Sequence, residues 1–399
     1  MTPQEPARAP LFLVVLLAAL ISLGPFSIDT YLPSFHAIGE SLAVDLIAVQ
    51  QTLTAYMLPF TLMTLWHGAL SDALGRKRVI LFFLGGYVLA SLAAAAVDRI
   101  ELLWLARVFQ GITAGAGMII GRAIIRDLFA GPAAQRLMAH VTMLFAVAPA
   151  VAPVIGGWLH AAFGWRSVFV FLGLLSGTTW LATLLRLPET LPRDKRQSLH
   201  PVYLWRAYRG ILGDRRFLAL TLAIGFNFAG FFIYVLSAPV FLMRHLGVSE
   251  TGFAWLFGPS VAGMMIGSWL SGRLAGKWSP RDTILRGFLV MALAAAANLA
   301  INLAFPPGLP WSVMPLFFYT LGNALAMPNL TLLGLDLYPA QRGMAASCQS
   351  FLQAGISTLG AGVLAPLLWA TPLTMAAGQC LLLALGTGIV LKTLLRQPS

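Results

Sequence analysis

Charge is scarce in this sequence. Asp, Glu, Lys and Arg together account for 10% of its 399 residues, whereas a water-soluble domain needs about a quarter of its residues charged to cover its surface. A soluble globular protein, and with it a soluble enzyme, is therefore excluded. Hydrophobic residues at 58% exclude intrinsic disorder. Cysteine is nearly absent: Cys348 and Cys380 lie in apolar stretches, are too few for a disulfide scaffold and read as inert core residues. No Cys/His spacing suited to a metal appears, and no G-x-x-x-x-G-K-[ST] loop occurs, so ATP is not expected to drive the protein directly. No cofactor is expected.

Acidic residues are few as well, 14 against 26 basic, for a net charge of +12. A strongly basic chain raises the question of nucleic acid, but the basic residues sit in alternate short loops and not on one face of a domain. That distribution orients a membrane protein, and no nucleic-acid partner is expected.

Long apolar runs dominate what remains. The mean hydropathy is +0.81, and runs near 20 residues, each able to cross about 30 Å of hydrocarbon, recur from Leu11 to Leu395. Charge, Pro and Gly divide the chain into twelve expected spans: 11–35, 46–68, 79–97, 101–122, 137–161, 166–186, 217–242, 252–272, 283–304, 311–333, 343–369 and 373–395. The first resembles a signal-peptide core but lacks a small-x-small cleavage site, and is kept as a helix. Arg99, Arg166 and Arg244 are the only basic residues assigned to one side. Arg107 and Arg122 fall within a span, and every other Lys and Arg falls on the opposite side. The rich side is expected to be cytoplasmic and to hold both termini. The expectation is an all-α polytopic membrane protein with a bundle at 1–186, a linker at 187–216 and a second bundle at 217–399. Within the linker, HPVYLWRAYRGILGD interleaves aromatics with arginines and predicts a short amphipathic helix on the membrane surface.

The two halves share short matches. Leu70-Ser71-x-x-Leu74-x-x-Lys77 aligns with Leu270-Ser271-x-x-Leu274-x-x-Lys277, and Ala134-Gln135-Arg136-x-Met138-Ala139 with Ala340-Gln341-Arg342-x-Met344-Ala345. Both pairs sit in corresponding loops, which argues for a duplication of six spans.

The loop after the second span, GALSDALGRKR, places Gly68, Asp72, Gly75, Arg76 and Lys77 in the pattern G-x-x-x-D-x-x-G-R-[RK]. Glycines allow a tight turn and close helix approach, and Asp72 and Arg76 are spaced to pair. This resembles the signature of the major facilitator superfamily. Arg107, Gln110 and Gly111 match its fourth-span pattern R-x-x-Q-G. Pro153, Gly156 and Gly157 in APAVAPVIGG resemble its antiporter motif, although Ala148 and Ala152 replace two of the glycines. PFSIDTYLP in the first span and RAIIRDLF ending the fourth, with APxxAPxxGG, are similar to the Bcr/CflA drug-resistance transporters. The resemblance implies two pseudo-symmetric six-helix bundles with spans 1, 4, 7 and 10 around a central cavity. It also implies a gating cluster of Asp72, Arg76 and Asp127, with Gly68, Gly75, Pro153, Gly156 and Gly157 serving the conformational change.

Asp29 is the one carboxylate in the interior of a span, and a charge there needs a role or a partner. It reads either as a group at a wet outer mouth or as a proton carrier, with Arg107 at a depth that suits pairing. Arg122 lies near the cytoplasmic end, where it lines a cavity or snorkels to the interface. Asn227, Phe231 and Tyr234 share one face of the seventh span, and Tyr319 and Asn323 one face of the tenth. With Asp29, Tyr31 and Arg122 they form a candidate site for flat, moderately polar molecules; packing between helices is the competing reading. His67 and His140 read as structural. The expected function is proton-coupled efflux of small organic antibiotics across a bacterial inner membrane. The expected partners are drug molecules, protons and the lipid bilayer, and the expected state is a monomer. Transport of a nutrient, amino acid or metabolite, or more distantly a membrane-embedded enzyme, are the alternatives.

Overall fold

The computed structural model describes residues 10–129, 131–196, 201–274, 277–338 and 342–395. Twelve long helices run through them: α1 (Leu11–Asp29), α2 (Leu46–Leu74), α3 (Arg76–Ala96), α4 (Ile100–Leu128), α5 (Gly131–Phe163), α6 (Arg166–Arg186), α7 (Arg215–Leu236), α8 (Ala254–Leu274), α9 (Pro280–Ala304), α10 (Met314–Leu335), α11 (Arg342–Leu359) and α12 (Pro372–Leu395). Eleven segments are long and apolar enough to cross a membrane among the described residues, and α5 contributes a shorter apolar stretch, Val147–Phe163. Their outward faces carry large apolar side chains: Phe82 is 75% exposed, Leu89 70%, Leu174 62% and Leu185 70%. Such surfaces suit hydrocarbon and not water. The chain is a multi-pass membrane protein.

Local chemistry sets the ends. Asp214 caps α7, accepting from the N–H groups of Arg216 (2.8 Å) and Phe217 (3.3 Å). Ser279 caps α9 ahead of Pro280, its hydroxyl accepting from the Asp282 N–H at 3.0 Å. Gly75, with φ +101°, makes the turn between α2 and α3. The first expected span ends earlier than its apolar run implied. With Pro33 ahead, the backbone leaves the α-helix at Asp29, makes a short 3-10 turn at Leu32–Ser34 and resumes as a helix at Phe35–Leu42. The expected span 217–242 likewise stops at Leu236 and gives way to a π-helical segment, Pro239–His245.

The chain separates into two compact units, Met1–Val44 with Ala55–His200, and Asp45–Thr54 with Pro201–Ser399. The stretch 187–216 is thus shared, its first part going with the first unit and residues from Pro201 with the second. In the first unit α1 packs on α4, α5 and α6, and α3 on α4 and α6. In the second α7 packs on α10, α11 and α12, and α9 on α10 and α12. Each of these pairings of the first unit reappears six helices later in the second, the pseudo-symmetry implied by the repeats. The loop match at 134–139 and 340–345 lies partly outside the described residues.

Small residues set the closest approaches. A methyl group on Gly117 of α4 would collide with the Leu20 carbonyl of α1, and one on Gly156 of α5 with the Thr30 carbonyl just beyond α1. The same device brings α8 onto α10, where Gly263 and Gly267 face the carbonyls of Phe317 and Leu321. Without a hydrophobic drive between helices in lipid, such contacts supply the packing.

Candidate functional site

The interior of the first unit is polar. Arg107 of α4 is fully buried. Its Nη1 donates to the Ser27 carbonyl (3.1 Å) and to Gln110 Oε1 (2.9 Å). Gln110 Nε2 donates to Ser91 Oγ at 2.8 Å, and Ser91 Oγ donates to the Tyr87 carbonyl at 2.8 Å. The Tyr87 hydroxyl meets Ser27 Oγ, which closes a ring of hydrogen bonds across α1, α3 and α4. The guanidinium also lies 4.8 Å from the Tyr31 ring centroid and 4.4 Å from that of Tyr56. Hydrogen bonds to a charged group contribute about 1.5–3 kcal/mol each and a desolvated cation–π contact about 2. This cage holds a charge that would otherwise be very costly to bury.

Asp29, the last residue of α1, is 4% exposed, so the reading that put it at a wet outer mouth does not hold. Gly156 reaches the Thr30 carbonyl, one residue on, so the motif glycine of α5 governs how tightly the end of α1 that carries Asp29 is held. Tyr31 is buried against Phe35 and Phe169. Arg122 is exposed near the end of α4.

In the second unit the aromatic hydroxyls are engaged within the bundle. Tyr319 donates to the Asn227 carbonyl at 2.9 Å, and Asn298 Nδ2 donates to the Tyr234 hydroxyl (2.7 Å) and to Gln379 Oε1 (2.8 Å). Asn298 and Gln379 carry no motif, so the sequence offered no signal for them beyond an amide in an apolar run. Asn227 is fully buried, and neither its Nδ2 nor its Oδ1 has a hydrogen-bond partner among the described residues. Phe231 and Asn323 are also buried.

A charged cluster at the start of α3 assembles as the motif implied. Arg76 contacts Asp72 through Nη1, donates from the same atom to Ser71 Oγ (2.7 Å) and from Nε to Asp127 Oδ2 (3.0 Å). Two further members come from the stretch read as a linker: Glu189 accepts from the Arg76 backbone N–H at 2.9 Å, and Thr190 donates to Asp127 Oδ2 at 3.0 Å. Glu189 also lies 3.9 Å from Arg196. A side chain on Gly75 would strike the Glu189 carboxylate as well as straining φ. Gly68 packs on Ile119 with ordinary spacing, while Pro153, Gly156 and Gly157 are buried in α5. The linker helix Pro201–Gly213 forms as expected, but its apolar stripe of Tyr208, Ile211 and Leu212 packs on Phe217, Leu335, Tyr338, Ala345 and Cys348 of the second unit and is not free for the bilayer.

The comparisons agree with this geometry. The family model for the Major Facilitator Superfamily matches residues 15–361. The chain is 32% identical over 344 residues to an uncharacterized MFS-type transporter, YdgK, of Bacillus subtilis, covering 86% of this chain and 85% of that one. It is 25% identical over 376 residues to the bicyclomycin resistance protein homolog of Haemophilus influenzae, with 94% of each covered. In fold it matches the crystal structure of a point mutant of the nucleoside transporter NupG, with a TM-score of 0.71 at 13% identity over 96% of this chain and 98% of the other. With the family pattern matched along most of its length and the paired packing of six and six helices, this chain belongs to the Major Facilitator Superfamily.

Proposed function

We propose that this transporter exports small organic antibiotics in exchange for protons, by alternating access across a bacterial inner membrane. The observation that carries the reading is Asp29, a carboxylate buried at the end of the first membrane-spanning helix. The likeness to a bicyclomycin resistance protein homolog supports the drug as cargo. Antiport needs a group that holds a proton or a substrate but not both, so that each binding event opposes the other. A carboxylate at this depth suits that task. An external proton loads Asp29, and its release toward the cytoplasm favours binding of the next drug molecule.

In this reading Arg107 is a fixed positive charge near the carrier. Each bundle offers its own drug contacts: Asn227, with its buried amide, Phe231 and Asn323 in the second, supported by Tyr234 and Tyr319, and Tyr31 and Arg122 in the first. The cluster of Asp72, Arg76 and Asp127 holds the first bundle in one conformation and yields in the other. Nearly all basic residues share one side of the spans, which favours cytoplasmic termini. Cysteine at position 99 should then label from outside and at position 193 only from inside.

Purified protein in liposomes with an imposed pH gradient tests the coupling. Wild type should expel a fluorescent drug, and Asp29→Asn should stay inserted and monodisperse but lose pH-driven flux. Full proton-coupled efflux by Asp29→Asn would overturn the assignment.

A further inference from the structure

The linker helix and the first turn of α7 present arginines that form no salt bridge among the described residues, Arg216 alone feeling the charge of a carboxylate, Asp214. Trp205, Arg206 and Arg209 on the helix Pro201–Gly213 are exposed, as are Arg215 and Arg216 at the start of α7; Trp205 is 68% exposed. The nearest carboxylate along the chain, Asp214, is occupied by the N–H groups of Arg216 and Phe217 and by the Tyr338 hydroxyl at 2.9 Å. Arg215 and Arg216 also sit at the positive end of a helix dipole, where a cation is disfavoured and an external anion is welcome.

The helix orders its side chains by polarity around its axis. Tyr208, Ile211 and Leu212 form the stripe packed on the second unit. Trp205 borders that stripe, Arg209 follows it at i,i+4, and Arg206 lies further round. A half-apolar indole beside guanidinium groups is the composition found at a bilayer interface. The position fits, because Asp214 alone separates this helix from α7, which is long and apolar enough to span the membrane. The apolar stripe is already covered by protein, so the helix meets the bilayer through its arginine and tryptophan side and not through its apolar face.

We propose that Arg206, Arg209, Arg215 and Arg216, with Trp205 as the interfacial anchor, bind the phosphodiester headgroups of anionic phospholipid. The bound lipid tethers the linker to the bilayer surface and supplies the counter-charge at the N-terminus of α7. The site holds whichever side of the membrane the segment faces, and it does not rest on the identity of the cargo.

Native mass spectrometry of the full-length protein, titrated with phosphatidylglycerol or phosphatidylcholine, tests it. Each arginine near a charged surface contributes about fivefold in affinity, from about 1 kcal/mol. Wild type should therefore prefer phosphatidylglycerol by at least about tenfold, and the preference should shrink as salt is raised. Arg206→Gln, Arg209→Gln, Arg215→Gln and Arg216→Gln combined should remove it, while Arg281→Gln should not. Equal binding of the two lipids by wild type, a preference indifferent to salt, or a preference kept by the fourfold variant would each overturn the site. So would heparin binding as tightly to the protein in zwitterionic nanodiscs as phosphatidylglycerol does.

Discussion

Arg76 donates from Nε to Asp127 at 3.0 Å, tying the first residue of α3 to the last turn of α4 across 51 positions of sequence. The Arg76 side chain is only 9% exposed and Asp127 19%, so the pair is screened less than a surface ion pair. Asp127→Asn is expected to lower the stability of the first unit by about 1–3 kcal/mol, since a guanidinium loses one charged acceptor. Glu189→Ala, which strips the acceptor from the Arg76 N–H, should cost about 1 kcal/mol. Thermal unfolding in detergent, followed by intrinsic fluorescence, measures both. Unchanged midpoints together with unchanged transport would remove the cluster from any gating role.

Two glycines of the motifs should respond differently to added side chains. Gly156→Val drives a branched side chain into the Thr30 carbonyl, where backbone faces backbone and neither yields. Overpacking of this kind costs about 1–3 kcal/mol or more, and the variant should give little monodisperse protein. Gly68→Ala places its methyl 3.6 Å from Ile119 Cγ2, ordinary contact, and should be tolerated. A well-behaved Gly156→Val would show that the end of α1 is held by something other than this approach.

The pair of Asp214 and Tyr338 carries a pH dependence. Partial burial pushes the Asp214 carboxyl up, but the Tyr338 hydroxyl, the N–H groups of Arg216 and Phe217 and the Arg216 charge outweigh it and hold it below the usual range. A carboxyl lowered by folding adds stability above its unfolded value of about 3.9, and that stability is lost as pH falls through the folded value. Burial, reinforced by Asp214, pushes the Tyr338 hydroxyl up to about 12. Its share is complete below about pH 10 and disappears as pH rises through 12. Tyr338→Phe should lower the melting temperature near neutral pH and flatten its fall at both extremes. A profile parallel to wild type would contradict the bond.

Arg107→Lys should fail to replace arginine. A lysine side chain is one bond shorter, so its ammonium falls short of where Arg107 Nη1 meets both the Ser27 carbonyl and Gln110, and it stacks poorly on Tyr31 and Tyr56. Loss of transport is expected, with a destabilisation of about 2–4 kcal/mol from stranded acceptors and lost stacking. Ser91→Ala opens the ring at a neutral link and should cost about 1 kcal/mol. Equal activity of Arg107→Lys and wild type would reduce the cage to packing.

Apolar runs as long as a bilayer is thick, with few charges, admit only membrane helices, because every backbone polar group must be satisfied within its own segment. For that reason the helices, their number and the duplication were readable from the residues themselves. So was the contact of Asp72 with Arg76, four residues apart, whereas Asp127 joined them only through the family resemblance. What the residues did not reveal depended on distance in space between groups with no pattern between them. Asp29 and Arg107 are of opposite charge and compatible depth, which suggested a pair, but no pattern pointed to the cage of Ser27, Gln110 and two tyrosine rings that packing builds around Arg107. Glu189 reads as one more linker residue until the chain folds back onto Arg76. Tyr208, Ile211 and Leu212 form an amphipathic stripe that suits a bilayer as well as a protein, and only the end of α10 and the start of α11 decided in favour of the protein. Hydropathy acts along one chain and can be summed residue by residue. Hydrogen bonds and salt bridges need two partners within about 3 Å, and only the tertiary structure places those partners.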